Sequence, residues 1–151
     1  MANTQAMCTS FKSEILQAYH NFGTTVTRAG TGADTFKAAL YLTSATINAS
    51  TTAYTATGEV TGTNYTAGGV TVTNATAPTT SGTTAYWTPS ASLTYTNVTL
   101  STAFDTVLIY NSTQSNRAVS VHTFGSQTVT AGTFTLTMPT NAAGTALLNI
   151  A

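Results

Sequence analysis

From Asp34 onward the apolar residues of this chain recur at every second position, and clusters of Gly, Asn and Ser break the pattern about every ten residues. In "TFKAALYL", Phe36, Ala38, Leu40 and Leu42 point one way while Lys37, Ala39 and Tyr41 point the other. Val70 and Val72 alternate with Thr71 and Thr73. Leu93 and Tyr95 share one parity and Val98 and Leu100 the opposite one, which predicts a bulge near Thr96. "VLIY", 107 to 110, is apolar without alternation and predicts a strand covered on both faces. "AVSVHTF" and "TFTLTM" alternate again, with Phe134, Leu136 and Met138 facing inward, and "ALLNI" supplies a last strand. The turns are "TGTN", "AGG", "TSG", "NSTQSN", "AGT" and "TNAAG". Short strands at this spacing predict an all-β, jelly-roll-like β-sandwich and exclude βαβ units. Threonine suits the outward positions, since its β-branch favours extended backbone and its hydroxyl tolerates water or a neighbouring subunit.

The N-terminal region follows another period. Phe11, Ile15, Leu16 and Tyr19 are spaced i, i+4, i+5 and i+8, an amphipathic helical stripe. Thr9 or Ser10 can cap its start and Gly23 can end it, so the spacing predicts a short N-terminal α-helix over 10–21. Residues 1–33 then form a helix and tether arm, and 34–151 the sandwich domain. "TTVTRAGTGAD" is rich in Gly and Thr and suits a tether. The stripe must be buried somewhere, since each large side chain left in water forgoes about 1.5–3 kcal/mol. The expected site is a neighbouring subunit; folding back on its own sandwich is the shorter path.

Charge narrows the function. Only 5% of the 151 residues are charged, and the formal net charge is zero. With 42% hydrophobic residues the chain can build a core, unlike a disordered segment. Four Lys and Arg cannot neutralise a run of phosphates, so no nucleic-acid partner is expected. No stretch of about 18 apolar residues predicts a membrane span, and the N-terminus lacks the order of a signal peptide. A single cysteine, Cys8, excludes an internal disulfide. Sequons at Asn48, Asn64, Asn74, Asn97 and Asn111 are expected by chance in a chain this rich in Asn and Thr, and are not expected to be glycosylated. Net charge near zero promotes association, so the composition points to a homo-oligomer or larger assembly.

Catalytic chemistry is sparse. The carboxylates are Glu14, Asp34, Glu59 and Asp105, and the histidines are His20 and His122. An Asp105–His122–Ser cluster on neighbouring strands is conceivable, but no nucleophile elbow accompanies it, and no enzyme is expected. "GTGAD", 30 to 34, lacks the Lys-Ser/Thr of a phosphate loop. Dispersed His and Cys and the absence of an Asp-rich loop predict no metal and no cofactor. Tyr86 and Trp87 in "AYWTP" are the remaining recognition candidates, either as exposed rings at a sugar or subunit contact or as a cap on the core.

The stretch "DTFKAALYLTSATINASTTAYTATGEVTGTNYTAGGVTVT" resembles a pattern of small tailed-bacteriophage virion proteins: an FKxALY strand, then TTAYT, then GTxYTAGG-type turns. "FDTVLIYNSTQSNRAVSVHTFGSQTVTAGTFTLTMP" is similar to the second half of that group. The likeness covers about residues 34 to 151. It implies a head decoration or cement protein with a jelly-roll-like fold, bound to the major capsid protein and to copies of itself. Such a protein sits on the virion head surface after assembly in the host cytoplasm. A tail or fibre component with a receptor- or carbohydrate-binding role is the alternative. Phe11, Ile15, Leu16, Tyr19, Tyr86 and Trp87 are the expected subunit-interface residues.

Overall fold

A computed structural model describes residues 3–16, 18–23 and 32–151. The chain is mainly β. Strand β1 (Ala6–Met7) and helix α1 (Thr9–Leu16) precede β2 (Phe36–Leu42), β3 (Val70–Thr71), β4 (Thr79–Ser81), β5 (Thr84–Trp87), β6 (Leu93–Asn111), β7 (Arg117–Leu136) and β8 (Leu148–Ile150). They form a five-stranded sheet, ordered β1-β7-β6-β2-β3, and a three-stranded sheet, β4-β5-β8. Every neighbouring pair is antiparallel.

β6 and β7 are the spine. Their hairpin closes where Asn111 pairs with Arg117, and Ser115 and Asn116 carry positive φ in its turn. The middle strand runs apolar from Val107 to Tyr110 because it is covered on both sides, and Thr106 to Asn111 are all buried. On one face Phe36, Ala38 and Leu40 of β2 lie opposite Asn111, Ile109 and Val107, residues that share a side of the sheet. This face meets the small sheet through Trp87, whose ring lies 6.1 Å from Phe36. The other face is covered by the loop from 43 to 69, where Ala45, Ile47 and Val60 are buried and Tyr54 stacks on Tyr110 at 4.9 Å. A loop can do this because its backbone is paired: Val60 N–H donates to Leu40 O, Leu42 N–H to Gly58 O, and Tyr54 N–H to Asn116 O.

The parity change in β6 is a bulge, as expected: the register shifts between Tyr95 and Val98, where Asn97 has a φ of 53°. "AGT", expected as a turn, is instead a second irregularity within β7. Gly132 stays paired with Val98, and Ala131 takes a φ of 46°. A left-handed residue opposite a bulge bends the ribbon without ending it.

The N-terminal segment departs from the expected arm in two respects. The helix ends at Leu16, five residues short of the expected 21. Ala18 turns left-handed, at φ 56°; its N–H donates to Ile15 O and Tyr19 N–H donates back to Glu14 O, a Schellman closure with alanine in the glycine position. The helix is also not held away from the domain. β1 pairs with β7 through Ala6–Val121 and Met7–Ser120, and Cys8 and Thr9 N–H donate to Val119 O and Ala49 O. Cys8 and Phe11 are buried in the common core. Most of the expected tether, 24–31, lies outside the described residues.

Candidate functional site

Four of the six expected interface residues come together. Phe11 and Ile15 from α1 meet Tyr86 and Trp87 from β5 around one apolar pocket of about 180 Å³. Phe22, which carries no periodic signal in the sequence, and Leu148 of the last strand also line it. Phe22 lies between Phe36 (4.6 Å, stacked) and Trp87 (4.7 Å), so a residue beyond the helix joins the N-terminal segment to both sheets. Phe11 is 1% exposed and Trp87 2%. Both are therefore core residues, and as subunit contacts they are corrected: within one chain they are already covered. The Trp87 indole N–H donates to Thr76 O, and the ring, packed against Phe22 and nearly fully buried, is not available to stack on a sugar. Tyr86 and Ile15 remain half-buried at the pocket rim. Tyr19 is half-buried beneath the Arg117 guanidinium, 4.3 Å above its ring, a cation–π contact. Leu16 ends α1, and its side chain lies outside the described residues.

Beside this pocket a polar network ties the N-terminal segment to the sheet. Glu14, 4% exposed, accepts from Arg117 Nη1 at 2.6 Å and bonds His20 Nε2 at 2.7 Å. His20 Nδ1 lies 3.1 Å from Asn111 Nδ2. Asp34, also 4% exposed, accepts from Asn21 N–H (2.8 Å), Asn111 Nδ2 (2.7 Å) and Gln114 Nε2 (3.3 Å). Burial lowers the His20 pKa, and the adjacent Glu14 carboxylate only partly offsets it. Burial, with Glu14 nearby, also pushes the Cys8 thiol up to about 12, which leaves it unreactive.

A second network explains the "TTAYTATGEVTGTNYTAGG" stretch. Glu59 accepts from Tyr54 OH (2.6 Å), Tyr65 OH (2.7 Å) and Gly68 N–H (2.7 Å). Tyr110 OH in turn donates to Gly68 O. Burial and the Glu59 carboxylate raise the Tyr65 pKa, so the phenol keeps its proton. Gly69 is required beside it: a Cβ there would sit 1.7 Å from Ala38 O, where β3 meets β2. These residues clamp the covering loop to the sheet, a role that spacing alone did not reveal.

The conceivable triad does not form. His122 Nε2 lies 2.9 Å from Ser120 Oγ, but Asp105 Oδ1 instead accepts from Asn3 Nδ2 (2.8 Å) and Thr106 Oγ1 (2.7 Å). Ser120 is 1% exposed and cannot meet a substrate. Burial lowers the His122 pKa to about 4, so the ring is neutral at neutral pH. Among the described residues no group of three His, Cys, Asp or Glu side chains could hold a metal, and no helix is long and apolar enough to cross a membrane.

Comparison with family models, with curated proteins and with solved structures returned no match.

Proposed function

We propose that this chain is a bacteriophage virion structural protein: a jelly-roll-like capsid decoration or cement protein. In this reading it binds in many copies to the outside of the major capsid protein shell and has no catalytic role. The observation that carries it is where the charge goes. All four carboxylates are engaged by donors of the same chain: Glu14 by Arg117 and His20, Asp34 by Asn21 and Asn111, Glu59 by two tyrosines and Gly68, and Asp105 by Asn3 and Thr106. Glu14, Asp34 and Glu59 are also buried, so little carboxylate charge lies at the surface to keep copies apart, and the outward strand positions present Thr, Ser and Gln. Such a surface suits close packing in a crowded shell, where uncharged contacts need no matching countercharge.

The outer part of β7 fits the same reading. From Thr123 to Leu136 no strand pairs with its free edge among the described residues, and the stretch contains neither charge nor proline. Free-standing proteins usually protect such edges with Lys or Pro; here only bulges interrupt it.

Adding purified protein back to phage heads that lack it tests the proposal. Saturable co-sedimentation that persists in about 1 M salt is expected, since contacts without ion pairs are little screened. Absence of binding to heads, or binding lost at moderate salt, contradicts it.

A further inference from the structure

The N-terminal segment is held to the sheet by a histidine whose protonation state is dictated by a neighbour that cannot turn. Asn111 Oδ1 accepts from two backbone N–H groups, Thr113 at 3.1 Å and Gln114 at 3.2 Å. The amide is therefore fixed, and its Nδ2 must point the other way. There it donates to Asp34 Oδ2 at 2.7 Å and faces His20 Nδ1 at 3.1 Å. A donor facing Nδ1 requires a lone pair on that nitrogen, so the proton of the neutral ring is on Nε2, where it donates to Glu14 Oε2 at 2.7 Å. The His20 side chain is fully buried, packed edge-on to Phe11 at 4.8 Å and near Phe36 at 6.5 Å.

We infer that His20 is an acid-sensitive pin: a second proton, on Nδ1, would set N–H against the Asn111 Nδ2–H and detach β1 and α1 from the sheet. The charged groups facing the ring are Glu14 from α1, Asp34 from the segment before β2, and Arg117 from β7. The two carboxylates favour an imidazolium and Arg117 opposes it. The hydrogen-bond partner at Nδ1 is nevertheless Asn111 Nδ2, while Glu14 bonds Nε2 and Asp34 Oδ2 accepts from Asn111 and Asn21 N–H. Burial disfavours the cation further, in line with the lowered His20 pKa. The sign follows. The docked state binds fewer protons than the detached one, so docking is strongest above the ordinary histidine range and weakens as pH falls below it. Release would uncover Phe36 and Trp87 and free Met7, Phe11 and Ile15 for another contact. This inference concerns contacts within one chain and does not depend on the proposed place in the virion.

Hydrogen exchange of the full chain, corrected for intrinsic rates, tests it between about pH 7.5 and pH 4.5. Amides of Thr4, Cys8 and Thr9, which donate to Ile47, Val119 and Ala49, report docking, and amides of β2 report the body. The expected result is protection at the N-terminal amides falling by up to about tenfold per pH unit, the slope for one proton taken up, while β2 stays protected. In His20→Gln, which cannot be protonated, the N-terminal protection should not vary with pH. Protection that is flat in the wild type, falls together with β2, or keeps its slope in His20→Gln overturns the inference. Should His20→Gln fail to dock at neutral pH, imidazole nitrogen NMR of the wild type decides. A docked ring protonated on Nε2 alone, taking its second proton as protection is lost, supports the pin. A docked ring protonated on Nδ1, or cationic while still docked, overturns it.

Discussion

Glu59 shows how this chain uses a charge. With three donors on one carboxylate and 7% exposure, it organises a loop that has no regular strand of its own. Glu59→Ala would leave the Tyr54 and Tyr65 hydroxyls and the Gly68 N–H without their acceptor. The expected loss is about 3–5 kcal/mol, read as a lower urea midpoint, because unmet buried donors cost more than a met bond contributes. A loss below about 1 kcal/mol would mean that water replaces the carboxylate at little cost. This role was not legible in the sequence. Tyr54, Glu59, Tyr65 and Gly68 are spread over fifteen positions of turn-rich chain, and only their folding back onto β2 and β6 makes one cluster.

At the scale of elements, legibility followed periodicity. The alternation of β2, the buried run of β6 and the bulge before Val98 could be read because each is set by which face of one strand is covered. β1 and β4, of two and three residues, could not, because their pairing is decided by partners distant in the chain. The helix was legible in kind and not in length. Gly23 was the expected stop, whereas Ala18 provides it in a conformation that alanine adopts reluctantly. Ala18→Gly should therefore stabilise the protein by about 1 kcal/mol, since Ala18 is exposed and its left-handed φ is relieved. A lower melting temperature in that variant would show that the strain is not relieved there. The grouping of Phe11, Ile15, Tyr86 and Trp87 was half legible: each was singled out as aromatic or apolar recognition surface, but their meeting with one another depends on Phe22.

For the whole molecule, the N-terminal segment belongs to the domain it precedes. Deleting residues 1–23 would remove β1 from the edge of the large sheet, uncover Phe36 and Trp87, and leave Arg117 without Glu14. The expected result is a body that still folds but melts lower and self-associates through the uncovered rings, since the β2–β6–β7 ladder is untouched. A truncated protein with an unchanged melting temperature would contradict the packing described for Phe11 and Phe22.

The same closure of polar groups against one another leaves an outer surface of hydroxyls with little charge, and this surface is the basis for placing the chain in a shell. Negative-stain electron microscopy of virions carrying gold-labelled antibody to this protein tests that placement most directly. Label distributed in many copies over the head is the predicted result. Label confined to the tail or its fibres, or absent from the virion, would contradict it.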